Sequence, residues 1–521
     1  MTRNRASHKI LTRLQILKLW HWWVGIAQDP NGKTILVSWG VLPGSIIDAK
    51  VLRSRKDHIT AQCIYIHDIG PTYQLTTVKC PHYFFHPWDH SHDHKVWCGG
   101  CKWQIVPYAQ QLILKHTIIL DTFHPLQHLI DRIGIQDVIA SPQHFGYRNK
   151  IEYSFGKFIV GKKNISDWGQ HQTTSSPGLY THHDRNLGFH KQGLFSKIVD
   201  IDECFLSTPQ SANLFRHIKS ILKQSGLPVY DAKTHEWFLR HLIIRQGINT
   251  DQMLVNMVIK SPTQVSYNGQ IFDLSDKRNQ TKKVLIEDKM LHTQITSFCV
   301  TYNDWLADIT RSQDSTTDIL RGSGTIQEVL QFETQQVRFQ ISPFSFFQTN
   351  THGAEVLFQT VMKLIWTYQG TILDLYCGTW SIGLSMLSSG IWKDLIGIEI
   401  VPDAIEDAHI NAKLNNLQQQ CYFVAGKAEH LISQDPILKQ KISQIWLVVV
   451  DPPRDGLHPD VIKFLCEWRA KQQFQLIYIS CNPVTLCRDL SLLQDHFDIR
   501  ILQPVDMFPH THHCEMIACM V

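Results

Sequence analysis

Hydrophobic and polar positions fall into three successive patterns along the chain. Between residues 23 and about 72 the apolar residues come in short runs divided by turn residues. Gly25-Ile26-Ala27 leads to Asp29-Pro30-Asn31-Gly32, then Thr34-Ile35-Leu36-Val37, then Val41-Leu42-Pro43-Gly44. Ala49-Lys50-Val51-Leu52 and Ala61-Gln62-Cys63-Ile64-Tyr65-Ile66 follow with strand-like alternation. Short alternating runs punctuated by Gly and Pro predict a small β-barrel. From 73 to 335 the pattern is mixed, an α+β region. Strand-like runs stand at Ile151-Glu152-Tyr153-Ser154-Phe155 and Met253–Ile259, with polar, loop-like stretches at 164–184 and 311–317. From 336 to 521 the alternation becomes regular. Near-continuous apolar runs, Thr371–Leu375, 395–399, 446–451 and Gln475–Ser480, are separated by helical segments such as 404–415. Strands buried on both faces and alternating with helices predict an α/β domain with a doubly wound, mostly parallel sheet.

Composition narrows the class. With 521 residues, 43% hydrophobic and 18% charged, the chain is long enough for about three folded domains. Disorder and coiled coil are excluded as its main character. A net charge of +4 permits a nucleic-acid partner without demanding one. The 13 cysteines are odd in number and spread from Cys63 to Cys519. That distribution points to a reducing compartment and to metal or catalytic use rather than a disulfide framework. The most apolar window, 371–392, contains Asp374, so it reads as strand, turn and helix rather than a membrane span. Residues 1–22 carry Arg3, Arg5, Lys9, Arg13 and Lys18 and no acid. They read as a basic arm that touches RNA, as an organellar transit segment, or as a plain surface helix.

Chemistry gathers at the ends of the predicted strands, where open α/β sheets bind ligands. Asp374 to Gly378 makes a tight strand-to-helix turn. Glu399 ends the next strand, placed to accept hydrogen bonds from ribose hydroxyls. Asp451 ends the third, stopped by Pro452-Pro453. The fourth ends in Ser480-Cys481-Asn482-Pro483, and a cysteine at that rim is where a nucleophile would sit. Taken singly, Cys481 also reads as a structural thiol, Glu515 as a surface acid, and Cys377 and Cys487 as packing residues. Phe344, Phe346 and Phe347 read as core, with a base-stacking platform the alternative, and His510, His512 and His513 as loop residues near the site.

Six motifs in order carry a family resemblance: Ser345-Phe346-Phe347-Gln348-Thr349-Asn350, Asp374-Leu375-Tyr376-Cys377-Gly378-Thr379, Gly397-Ile398-Glu399, Asp451-Pro452-Pro453-Arg454-Asp455-Gly456, Ser480-Cys481-Asn482-Pro483 and His512-His513-Cys514-Glu515. The chain resembles the S-adenosylmethionine-dependent RNA 5-methyluridine (uracil-5-) methyltransferases, in particular the 23S rRNA type. The match is dense over 340–521 and thinner back to about residue 23. It implies a Rossmann-like class I methyltransferase domain at 336–521. It also implies a TRAM-like (OB-like) RNA-binding barrel at 23–72 and a central RNA-binding domain at 73–335. Tyr147-Arg148-Asn149-Lys150 and Leu187-Gly188-Phe189-His190 resemble motifs of that central domain. By the resemblance, Gln348, Tyr376, Glu399 and Asp451 contact the cofactor, Cys481 is the nucleophile and Glu515 the base. Cys80, Cys98, Cys101 and Cys204 resemble the four thiolate ligands of a [4Fe–4S] cluster.

Two departures from the family pattern matter. Seventeen residues separate Cys80 from Cys98, a longer gap than the family's, and they include His82, His86, His90, His92 and His94. A Cys/His zinc site is therefore the alternative to the cluster. Trp380 stands where the family turn has glycine, which brings bulk to a place where backbone passes the cofactor. The resemblance implies methyl transfer to C5 of a uridine in structured RNA, 23S rRNA with tRNA as the alternative; a cytoplasmic monomer is expected, an organellar location being the alternative that the basic N-terminus leaves open. An RNA cytosine-5 methyltransferase would carry Pro-Cys and Thr-Cys pairs, and this chain has Ser-Cys-Asn-Pro. A non-catalytic RNA-binding or ribosome-assembly protein is the rival from another class.

Overall fold

The first sheet is built by short strands that put every second side chain inward. The computed structural model describes residues 9–20, 24–38, 40–70, 73–83, 98–157, 185–191, 194–231, 234–261, 264–267, 270–273, 275–366, 370–379 and 381–521. The loop expected at 164–184, His86, His90, His92, His94 and Trp380 lie outside them. The six strands run in the order Ile10–Gln15, Ile46–Ser54, His58–Asp68, Thr34–Ser38, Val24–Gln28, Lys18–Trp20. Ala27, Ile35, Val37, Ile47, Ala49 and Ala61 form the buried face, following the period of two that a strand imposes. Gly25 is required by packing, since a Cβ there would meet Val41 Cγ2 at 2.4 Å. Residues 10–20, read above as part of a basic arm, are two strands of this sheet. Ile16 and Leu19 enter its core while Ile10, Leu17 and Trp20 face solvent. Interleaved basic residues hid that alternation.

The second sheet has seven strands in the order Thr316–Arg321, Ser297–Tyr302, Met253–Ile259, Leu239–Gln246, Lys150–Gly156, Asn186–Lys191, Leu194–Asp200. The helix Pro209–Ser225 joins its core through Leu214, Phe215, Ile218 and Leu222. That helix is delimited by its sequence. Thr208 caps it by accepting from Ser211 N, Pro209 opens it, and Gly226 ends it at φ +71°.

The third sheet has the seven strands Cys421–Ala425, Asp394–Glu399, Thr371–Leu375, Ile445–Val450, Gln475–Ser480, Glu515–Met520 and Ile499–Val505 in spatial order. The first five are parallel, and Glu515–Met520 is inserted antiparallel between its two neighbours. The strand order reverses beside Thr371–Leu375, which opens the crevice where such sheets bind ligands. Two apolar clusters cover the faces. The Rossmann-like α/β domain expected from the apolar runs is thus present, preceded by the barrel-like sheet and the mixed region. The helices Tyr108–Thr122 and Gln127–Ile133 belong to neither upstream core alone. Ile119, Phe123, Leu126 and Leu129 pack into the C-terminal core, across from the region that contains them in sequence. Among the described residues no helix is long and apolar enough to cross a membrane.

Candidate active site

The turn after Thr371–Leu375 is shaped by two left-handed residues, Tyr376 at φ +63° and Gly378 at φ +53°. Glycine takes that conformation freely; a tyrosine does so at a cost of about 1–3 kcal/mol. Hydrogen bonds hold it. Tyr376 N and Cys377 N both donate to Ile398 O, at 3.0 and 3.3 Å. Glu399 accepts from Gly378 N through Oε2 and from Val401 N through Oε1, each at 3.0 Å. The carboxylate therefore ties two strand ends together and keeps lone pairs for hydroxyl donors. The Ser345–Gln348 stretch lies against this turn: Thr379 Oγ1 donates to Phe346 O, and a Cβ on Gly378 would sit 3.5 Å from the Phe346 ring. Gln348 is buried, and its carbonyl accepts from Asn149 Nδ2 at 2.8 Å. Phe347 is core, as read from sequence, whereas Phe346 is 61% exposed.

Three carboxyls converge at the strand ends. Asp374 is buried behind the turn, and burial, then the nearby charges of Asp451 and Glu399, hold its pKa well above the usual carboxylate range. Burial pushes Asp451 up to about 7. Such a crevice favours a ligand that brings positive charge and hydroxyl donors.

Strand register sets the second half of the site. Ser480 is paired with Met516 across the antiparallel ladder. The next opposed positions are Cys481, just past one strand end, and Glu515, which opens the other strand. Asn482 caps the helix Pro483–Leu493 by accepting from Val484 N at 3.2 Å, and its Nδ2 donates to Arg454 O at 2.9 Å. The loop after Asp451 is thereby fixed beside Cys481. Burial pushes the Cys481 thiol up to about 11, with Glu515 and Asp451 adding to it and Arg454 opposing. Burial, with Asp451 adding, pushes Glu515 up to about 8, and Arg454 again opposes. Cys487 and Cys514 are buried packing thiols, the latter donating to Val505 O at 3.4 Å. His510 is a loop residue, as expected, but a buried one.

Cys80, Cys98, Cys101 and Cys204 line one cavity of about 590 Å³ together with Arg148 and Glu152. Burial raises all four thiols, Cys80 to about 11 and Cys98 to about 12, and charge on neighbouring thiols adds to the rise for Cys80, Cys98 and Cys101. Among the described residues, no three His, Cys, Asp or Glu converge on a single ion. His82 lines the same cavity.

Local sequence gives Arg454 no role and Asp374 only the start of a turn. Both stand inside quoted motifs, so the signal was there; what was missing was their position facing Glu515 and Glu399.

Comparison with known proteins places the chain among RNA methyltransferases. Residues 306–520 match the family model described as tRNA (Uracil-5-)-methyltransferase. An uncharacterized RNA methyltransferase of Clostridium tetani is 32% identical over 497 residues, covering 95% of this chain and 94% of its own length. One from Caldanaerobacter subterraneus subsp. tengcongensis is 30% identical over 498 residues, covering 94% of each. The crystal structure of Pyrococcus abyssi tRNA (uracil-54, C5)-methyltransferase with S-adenosyl-L-homocysteine superposes with a TM-score of 0.65 at 25% identity. It covers 98% of this chain and 100% of that one.

Proposed function

The chain belongs to the family of S-adenosylmethionine-dependent RNA (uracil-5-)-methyltransferases, and from that premise we propose how its residues carry out the reaction. Bound S-adenosylmethionine supplies an electrophilic methyl group on a sulfonium. C5 of uracil is too weak a nucleophile to take it unaided. The Cys481 sulfur gives up its proton to solvent and adds to C6, and the electron pair moves to C5 and the C4 carbonyl as an enolate. C5 then takes the methyl group, and the sulfonium becomes a neutral thioether. The Glu515 carboxylate removes the C5 proton. The electrons re-form the C5–C6 double bond and expel the Cys481 thiolate, which takes the proton back from Glu515, so both groups return to their starting states with one proton released overall. The target base must leave its stack for a thiol to reach C6. Glu399, Tyr376, Gln348 and Asp451 hold the methyl donor.

The observation that carries this reading is the ladder register that opposes Cys481 to Glu515 beside Asp451. It is tested on a denaturing gel with labelled RNA. Glu515→Gln should retain a covalent protein–RNA band when cofactor is present, because removal of a general base slows its step about 10²–10⁴-fold. Cys481→Ala should give none. A band that survives in Cys481→Ala assigns the nucleophile elsewhere.

For the substrate, the TRAM-like barrel and the four cysteines favour a uridine of 23S rRNA. The tRNA substrate of the Pyrococcus abyssi neighbour favours a second reading, and methylation of each transcript, read by mass spectrometry, separates them. Cys80, Cys98, Cys101 and Cys204 fit a [4Fe–4S] cluster better than one zinc ion. Four thiols around a roomy cavity suit a polynuclear group, whereas zinc needs its ligands within about 2.0–2.3 Å of one point.

A further inference from the structure

Glu515 is delivered to the site by a hairpin whose foot is the pair Val505–Glu515. Its loop, 506–514, is gripped by residues that lie almost 400 positions earlier. Asp506 and the Lys115 side chain are fully buried. Asp506 Oδ1 accepts from Lys115 Nζ at 2.6 Å and from Phe508 N at 2.9 Å, and Oδ2 accepts from Tyr108 OH at 2.8 Å. Lys115 Nζ also donates to Phe508 O at 3.2 Å. One helical turn away, Gln111 Oε1 accepts from His510 N at 2.9 Å, while its Nε2 donates to Val106 O and lies 3.0 Å from His510 Nδ1. His510 is held at φ +65°, a conformation uncommon for residues other than glycine. Its carbonyl accepts from Lys102 N and Trp103 N.

A buried ion pair is weak evidence for stability, because apolar residues of the same volume would serve as well. What a dense buried hydrogen-bond network adds is a single geometry. Here that geometry belongs to the loop that ends in Glu515, and a base acts only within about 3 Å of its proton. We propose that Lys115 and Gln111 are positioning residues of the methyl transfer: they lock the 506–514 loop so that Glu515 faces the C5 proton of the adduct. The proposal rests on Glu515 being the base.

The test uses full-length Lys115→Met and Gln111→Met with S-adenosylmethionine labelled in its methyl group. Displacing a catalytic group by about 1 Å costs on the order of 10²-fold. Turnover should fall by that order, with KM for both substrates held. The first methyl transfer should persist, and label should accumulate in a covalent protein–RNA band. A merely structural role predicts the opposite, burst and turnover falling together with no band, and that result overturns the proposal. So does wild-type turnover. The double variant Lys115→Met/Asp506→Leu removes both charges and restores apolar packing. If it recovers thermal stability yet still accumulates the band, positioning stands; if it recovers full turnover, the pair is structural. Glu515→Gln runs alongside: without a band there, the assignment of the base fails first and this proposal falls with it.

Discussion

Replacing Glu515 with Gln should stabilise the protein, and by an amount that grows with pH. An unfolded glutamate titrates near 4.5, whereas burial and Asp451 hold Glu515 at about 8 in the fold. The folded state therefore keeps the proton over that window. Stability from this group is fully present below pH 4.5 and is lost as pH rises through about 8. At 1.36 kcal/mol per pH unit, disfavouring ionisation that the unfolded chain undergoes freely costs the fold about 1 kcal/mol at pH 5 and about 4–5 kcal/mol at pH 8.5. Glutamine keeps the shape and never ionises. The difference in unfolding free energy between Glu515→Gln and wild type should rise by about 4 kcal/mol across that interval. Urea unfolding of both proteins at pH 5, 7 and 8.5 measures it. On the proposed mechanism the same titration governs catalysis with the opposite sense, since only the carboxylate would accept the C5 proton. Resolution of the covalent adduct should quicken about tenfold per pH unit up to about 8 and then level. A stability difference that does not change with pH, together with a flat rate profile, would refute the reasoning that Glu515 is a proton-retaining base.

Three further outcomes follow from the geometry. Gly383→Ala places a Cβ 2.8 Å from Asp374 Oδ2 and 3.0 Å from Leu395; both neighbours are buried, so calorimetry and urea unfolding should show weaker cofactor binding and a loss of about 1–3 kcal/mol. Glu399→Ala frees the Gly378 and Val401 amides and removes a hydroxyl acceptor, which should weaken S-adenosylmethionine binding by about 1.5–3 kcal/mol, roughly 10–100-fold, with RNA binding unchanged. Protein purified without oxygen should be brown with about four irons per chain, and Cys98→Ser should lose the colour; stoichiometric zinc without iron or sulfide would favour a single-ion site instead.

Some of this molecule is written locally and some is not. Three strands of the C-terminal sheet, Asp394–Glu399, Ile445–Val450 and Gln475–Ser480, are largely buried apolar runs that end at Glu399 and just before Asp451 and Cys481. A window of six to eight residues therefore sufficed to find Asp374, Glu399, Asp451 and Cys481 and to place them at strand ends. Turn chemistry and alternation were equally local in the barrel strands from Val24 onward. The failures share a scale. Residues 10–20 read as an arm because a three-residue strand and a six-residue strand bearing lysine and arginine carry too little period to register.

Long-range pairing lay beyond any window. That Cys481 stands opposite Glu515 depends on the ladder between Gln475–Ser480 and Glu515–Met520, and a slip of one residue would turn Glu515 to the other face. That helix Tyr108–Thr122 grips the loop before Glu515 depends on which core buries Ile119 and Phe123. Cys204 reaches the cavity of Cys80, Cys98 and Cys101 only once the second sheet is assembled. Sequence determined which side chains could act, because propensity and turn chemistry are properties of neighbours along the chain. Tertiary structure decided which of them meet, and how strongly burial holds their protons, because desolvation and register are properties of residues brought together from far apart.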